Sequence, residues 1–311
     1  MIRFELPPDN ASQSVVLGIG VFDGVHQGHR KIIRELVEMG RRTGAVPVAV
    51  TFIPHPREIL GIPPLPRLLL PPEERFRLLR EAGAQAIGII EFSRQLAETS
   101  PKEFVDALLK MRPPVRGICV GSQWRFGHRG AGDTAFLAAD LERRGIAFNA
   151  VREVQMGGSI VSSSLIREKI AAGRLDEAAA MLGTHPGLYG EVVPGFQIAE
   201  RELHAPTANL HLEYGILPPD GVYAGMTTVG NQRFPAVTNI GFAPTFQYSG
   251  ERRIETHIIG FSDDLYRRKL IVELFEKIRD EKKFSSVPAL EKQIRNDCEK
   301  TIGIFAGKGV K

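Results

Sequence analysis

From Gly18 to Arg30 the chain carries glycines at Gly18, Gly20, Gly24 and Gly28, with His26 and His29 set among them. Before this stretch lies Ser14 to Leu17, short and β-branched like a buried strand. After it, Lys31 to Val37 has the apolar spacing of a helix. The motif therefore occupies a strand-to-helix turn. There the unsatisfied N–H groups and dipole of the new helix face the carboxyl end of the strand, the place where an α/β sheet receives a phosphate. Glycine permits close backbone approach, and two histidines three residues apart can direct ring N–H groups to one point. A nucleotide is the ligand this combination suits.

The remaining first half alternates in the same way. Strands are expected at Ala45 to Ile53, Ala86 to Phe92, Val115 to Val120 and Ile146 to Val154. Helices are expected at Glu73 to Ala82, Pro101 to Met111, Ser162 to Ile170 and Leu175 to Leu182. Such alternation predicts a parallel, doubly wound sheet. Beyond Thr184-His185-Pro186-Gly187 the pattern changes to short runs between turns: Tyr189 to Val193, Gly221 to Val229, Arg233 to Ile240, Glu255 to Phe261 and Lys269 to Ile278. That spacing predicts an antiparallel barrel, closed by a helix over Val287 to Thr301. The fold class is α/β, Rossmann-like, followed by a mainly antiparallel β-barrel, with domains at 1–185 and 186–311.

Composition narrows the functional classes. With 40 basic against 36 acidic residues among 311, the small excess is spread along the chain and does not form a nucleic-acid footprint. Only Cys119 and Cys298 are present, which gives neither a disulfide framework nor zinc spacing and suggests a reducing compartment. No apolar run reaches the ~18 residues of a membrane helix, and Met1 to Asn10 lacks a signal pattern. A cytoplasmic protein acting on small molecules is expected, with no nucleic acid, membrane or obligate protein partner.

Three further stretches carry chemistry. Thr51-Phe52-Ile53-Pro54-His55-Pro56 makes a rigid turn at a strand end. Gly121 to Asp133 combines glycines with Trp124, Phe126, Arg125 and Arg129, suited to stacking on a planar ring and meeting a phosphate; taken alone, Trp124 or Phe126 reads better as a core residue. Ser162-Ser163-Ser164-Leu165-Ile166-Arg167 opens a helix with hydroxyls, N–H groups and a guanidinium, where one serine would suffice for a cap.

His-x-Gly-His inside Gly-x-Phe-Asp-Gly-Val-His, with the other three motifs in order, resembles the bacterial bifunctional riboflavin kinase and FAD synthetase family. The resemblance implies transfer of AMP from ATP to FMN, giving FAD and pyrophosphate. It implies that His26 and His29 act as donors at the phosphates, with Ser164 and Arg167 on the β- and γ-phosphates. Gly20, Phe22, Asp23, Gly24, Gly28, Ser162 and Ser163 would bind nucleotide, and His55, Gln123, Trp124, Phe126, Gly127, Arg129 and Asp133 the flavin. Gln123 and Trp124 replace the family's usual Asn or Asp and Phe.

The second half resembles the riboflavin kinase module of the same family through Pro206-Thr207-Ala208-Asn209, Asn239-Ile240-Gly241 with Pro244-Thr245-Phe246, Glu255-Thr256-His257, and Arg279-x-Glu281-x-x-Phe284. This implies Mg²⁺ and ATP phosphate at Thr207 and Asn209, Glu255 as general base for the riboflavin hydroxyl, and flavin contacts at Arg279, Glu281 and Phe284. Glu200, His204 and Arg267 stand where relatives have glycine. Three readings follow: a bifunctional enzyme, an FAD synthetase with a weakened or inactive kinase module, and a flavin- or nucleotide-binding regulator without turnover.

Overall fold

A computed structural model describes residues 2–5, 13–63, 65–194, 207–230, 232–242 and 252–308. Its contacts form two compact units: one comprises residues 1–66 and 72–162, the other 67–71 and 163–311.

The first unit is a six-stranded sheet. Its strands are β1 (Ile2–Glu5), β2 (Val15–Ile19), β3 (Val46–Ile53), β4 (Ala86–Glu91), β5 (Val115–Gly121) and β6 (Ala147–Val151), in the order β1-β4-β3-β2-β5-β6. All neighbours pair in parallel except β1, an antiparallel edge on β4. Chain order runs outward from β2 through β3 and β4, then returns to β5 on the other side of β2. The order therefore reverses between β2 and β5, and α/β sheets bind ligands beyond the strand ends at such a reversal.

The connecting helices are α1 (Gln27–Thr43), α2 (Pro56–Leu60), α3 (Pro72–Glu81), α4 (Arg94–Ala97), α5 (Pro101–Leu109) and α6 (Thr134–Arg143). Strand β2 is buried throughout, as expected of a central parallel strand. Helix α1 buries Ile33, Leu36 and Met39. A Cβ on Gly18 would stand 2.8 Å from Leu36, and one on Gly117 2.3 Å from the Met39 sulfur, so these two glycines let α1 lie close to the sheet. After β6 comes a small hairpin of β7 (Gln155–Met156) and β8 (Ser159–Ile160), where the sequence pattern predicts strand only to Val154.

The second unit contains α7 (Ser163–Ala171), α8 (Leu175–Leu182) and a closed barrel. Its strands are β9 (Gly187–Val193), β10 (Thr207–Tyr214), β11 (Gly221–Val229), β12 (Gln232–Gly241), β13 (Arg253–Ile258) and β14 (Lys269–Arg279). They close in the order β10-β13-β12-β11-β14-β9, every pair antiparallel. Helix α9 (Val287–Lys308) follows. It packs Cys298 and Ile304 against Val222, Ala224, Val237 and Ile278, and Phe305 against Met226 and Phe275. Interior positions such as Thr238 and Thr256, joined at 3.1 Å, are fully buried. Residues one position along, Asn239 and Glu255, face the other side and are half-buried.

Candidate functional site

The turn after β2 brings its two histidines together. His26 caps α1: the backbone N–H of His29 donates to its Nδ1 at 3.4 Å. An accepting Nδ1 carries no proton, so in the neutral ring the proton sits on Nε2, a donor. The two imidazoles stack, 3.6 Å between centroids and 18° between planes, and Phe22 meets His29 edge-on at 5.2 Å. A Cβ on Gly28 would lie 3.1 Å from the His26 ring, so the close approach of the rings depends on that glycine. The same atom would lie 3.7 Å from the carbonyl of Val161, which places the residue before Ser162 alongside the turn. A Cβ on Gly20 would lie 3.1 Å from the Phe22 ring.

Burial, then the neighbouring His26 and Arg75, hold the His29 imidazole well below its usual titration range. Its Nδ1 is buried and has no hydrogen-bond partner among the described residues. A desolvated His29 imidazole beside the buried His26 is thus presented at the helix N-terminus, where the positive end of the dipole favours an anion. Asp23 is buried in the same turn. Gly24 has φ 82°, and the non-glycine residues Phe22 (φ 55°) and Val25 (φ 38°) are also left-handed.

His55 caps α2, its Nδ1 accepting from Arg57 N–H at 3.1 Å. The loop after β5 has an aromatic floor. Phe126, 6% exposed, belongs to the core with Phe104, and Trp124 stacks over it at 4.6 Å and 15°. The aromatic face nearer solvent is thus Trp124. Gly127 (φ 72°) passes within 2.7 Å of Pro101, measured from a Cβ built on it. Asp133 caps α6 by accepting from Phe136 N–H at 2.9 Å, and Arg125 reaches it at 3.5 Å. Gln123 and Arg129 are exposed.

In the second unit, Ser163 and Ser164 form the first turn of α7, and Arg167 lies one turn on, its Nε donating to the Arg67 carbonyl at 2.8 Å. Ser164 is exposed, while Ser162 and Ser163 are half-buried.

Barrel register sets up the other centre. Asn209 of β10 pairs with Glu255 of β13, which pairs with Asn239 of β12. The three form one row across adjacent strands, and Thr207, two residues from Asn209, shares their face. The motif around Asn239 assigns that residue no role by sequence; only this register brings it to Glu255. Burial, and secondarily the Glu281 charge, push the Glu255 carboxyl up against the opposing pull of Arg253. Asn239 donates to Glu281 at 3.3 Å.

Arg279 is held by the buried Asp297 of α9, through Nε at 3.0 Å and Nη2 at 2.8 Å, while its Nη1 donates to the Asp280 carbonyl. Its guanidinium carbon is 5.9 Å from the Phe284 ring centre.

A cleft of about 200 Å³ is lined by Thr207, Ala208, Phe261, Asp263, Asp264 and Tyr266, among others. Among the described residues no three His, Cys, Asp or Glu converge on one point. The Thr207 hydroxyl, the Asn209 amide and the carboxylates beside Thr207 are instead oxygen donors of the kind Mg²⁺ accepts, with the rest of its shell from water and phosphate. Arg267 has φ 62°, and its N–H donates to the Val192 carbonyl at 2.9 Å. A left-handed backbone explains why glycine suits this position, and Arg267 itself is exposed. Glu200, His204 and the Pro206 and Pro244-Thr245-Phe246 stretches lie outside the described residues.

Residues 9–165 match the FAD synthetase family and 182–305 the riboflavin kinase family. The bifunctional riboflavin kinase/FMN adenylyltransferase of Pseudomonas fluorescens is 34% identical over 288 residues, 91% of this chain and 90% of that one. The protein so described from Escherichia coli K12 is 33% identical, with 92% and 91% covered, and that from Bacillus subtilis 30%, with 94% and 92% covered. A solved Streptococcus pneumoniae structure, described as a macrolide-efflux protein, superposes with TM-score 0.80 at 30% identity over 93% of this chain and 94% of that one. Among the described residues here, no helix is long and apolar enough to cross a membrane.

Proposed function

The chain belongs to the bifunctional riboflavin kinase/FMN adenylyltransferase family, and from that premise we propose how its residues divide two steps of FAD biosynthesis. Residues 1–185 adenylylate FMN with ATP, giving FAD and pyrophosphate. Residues 186–311 phosphorylate riboflavin to FMN.

In adenylyl transfer the nucleophile is the FMN phosphate, already an anion at neutral pH, so the centre needs position and charge neutralisation more than a base. His26 through Nε2–H, and His29 beside it, donate to the phosphate oxygens as charge develops at the α-phosphorus. Gly20, Phe22, Asp23, Gly24 and Gly28 shape the turn. Ser162, Ser163, Ser164 and Arg167 take the β- and γ-phosphates. His55, Gln123, Trp124, Gly127 and Arg129 receive the flavin nucleotide over the floor made by Phe126, and Asp133 holds the loop by capping α6. What supports this reading is the stacked histidine pair at the strand-order reversal, with the approach to Ser162 running beside it.

In the kinase reaction the nucleophile is a ribityl hydroxyl and does need a base. Glu255, raised by burial, takes the proton, and Asn209 and Asn239 flank it in register. Thr207 and Asn209 would hold Mg²⁺, whose charge would neutralise that of the ATP phosphates. The cleft bordered by Phe261 and Tyr266 takes the nucleotide. Glu281 and Phe284 contact the flavin, with Arg279 fixed on Asp297 to place them. The free thiols Cys119 and Cys298 support a reducing, cytoplasmic setting. Incubation with riboflavin, ATP and Mg²⁺, followed by flavin separation, tests the scheme: FMN and then FAD should accumulate. FAD from supplied FMN without any FMN from riboflavin would instead leave a monofunctional synthetase.

A further inference from the structure

Helix α3 carries three arginines outside the motifs, and one of them is buried. Arg75 shares the buried face of α3 with Leu78 and Leu79, at the i, i+3, i+4 spacing normally occupied by apolar residues, and is only 3% exposed. Its Nη1 donates to the Val21 carbonyl at 3.0 Å. The Thr51 hydroxyl of β3, also buried, donates to the same carbonyl at 2.9 Å. That oxygen therefore accepts two hydrogen bonds just before Phe22 and Val25, both left-handed and fully buried.

We propose that Arg75 is a positioning residue of the adenylyl-transfer centre, clamping the Val21 carbonyl so that the Phe22–Val25 turn holds His26 and His29 in register for phosphate. The proposal rests on the reading of that turn as the transfer site. A left-handed conformation at a phenylalanine or a β-branched valine costs of order 1–3 kcal/mol and persists only where its surroundings over-determine it. Two buried hydrogen bonds to the preceding carbonyl supply that constraint. The guanidinium also sets a fixed positive charge behind an anion site, where low polarity strengthens its effect. The ionisable groups acting on His29 are His26 from the turn and Arg75 from α3. Arg75 therefore adds to burial and His26 in holding the His29 pKa down while charging the site from behind.

The test uses full-length Arg75→Met, Arg75→Lys and Thr51→Val proteins, with riboflavin phosphorylation by the same preparations as the folding control. Arg75→Met should lower kcat/KM for FMN adenylylation about 10²-fold, as expected of slight misplacement of reacting groups. It should also raise the His29 midpoint followed by NMR. Arg75→Lys should recover part of the rate and keep the His29 midpoint low, because the charge remains. Thr51→Val should cost about fivefold, the worth of one neutral hydrogen bond, with the His29 midpoint unmoved. A folded Arg75→Met protein within twofold of the unmodified rate overturns the proposal. So does a His29 midpoint that responds equally to Thr51→Val and Arg75→Met. If Arg75→Met does not fold, an Arg75→Lys protein with an unmodified rate beside a Thr51→Val protein with no loss overturns it. Failure of the site reading is seen separately, as unimpaired adenylylation by His29→Ala.

Discussion

The turn after β2 and the row on β13 both serve transfer to phosphorus from ATP, yet they present opposite acid–base characters. In the turn, two imidazoles stack, and burial, then the neighbouring His26 and Arg75, hold that of His29 well below its usual titration range, while the transfer calls on no carboxylate as base. In the barrel, a half-buried carboxylate is pushed up in pKa, toward the range in which a base works well at neutral pH. The difference follows from the nucleophile. A phosphate monoester arrives ionised and needs donors, whereas a hydroxyl arrives protonated and needs an acceptor. Each backbone suits its nucleophile, since a strained turn concentrates N–H groups and rings at one point while a β-row spaces an acceptor between amides.

His29→Ala is the strongest way to break the comparison on the turn's side. Loss of one donor at developing phosphate charge should slow FAD formation by roughly 10²–10³ while FMN formation is kept; equal loss of both activities would mean that the two centres are not separate. Arg167→Ala sharpens it further. With the guanidinium gone from the start of α7, the KM for ATP in adenylyl transfer should rise about tenfold with a smaller fall in kcat, read by steady-state kinetics at varied ATP; a change confined to the KM for FMN would misplace the residue.

A smaller effect concerns Glu255. Its protonation should cause an acid-side fall in kinase kcat/KM with a midpoint above the ordinary glutamate value. Glu281→Gln, by removing a negative neighbour, should move that midpoint down. An upward movement would contradict the assigned cause. The smallest is Arg267→Gly. Relief of a left-handed arginine, partly offset by glycine's greater freedom in the unfolded chain, should stabilise the protein by about 1 kcal/mol or less in denaturant unfolding, with kinase activity retained. Destabilisation would show that the side chain holds the loop.

The sequence makes the linear parts of the fold and site legible and hides the rest for definable reasons. His26, Gly28 and His29 are nearly contiguous, so one strand-to-helix turn brings them together, and the β–α alternation predicts the parallel sheet around it. Strand β1 is not legible because four residues of alternating character give too short a period to read. Strand β10 is masked by the proline before Thr207, although Ala208 and Leu210 alternate with Thr207 and Asn209 as a barrel strand requires. Arg75 lies in another helix, and its one signal is a cation at an apolar helical position beside Leu78 and Leu79. The Asn209–Glu255–Asn239 row depends on strand register, which composition does not encode locally. Arg279, expected at the flavin, is also engaged by Asp297 of α9, a partner visible only once that helix is docked.

Both half-reactions measured side by side on Glu255→Gln protein test the central claim most directly, that one chain keeps a base-dependent centre and a base-free one. Phosphorylation of riboflavin should fall by roughly 10²–10⁴, the usual worth of a general base, while FAD forms from supplied FMN at the unmodified rate. Persistent FMN formation, or parallel loss of both products from a folded protein, would contradict it.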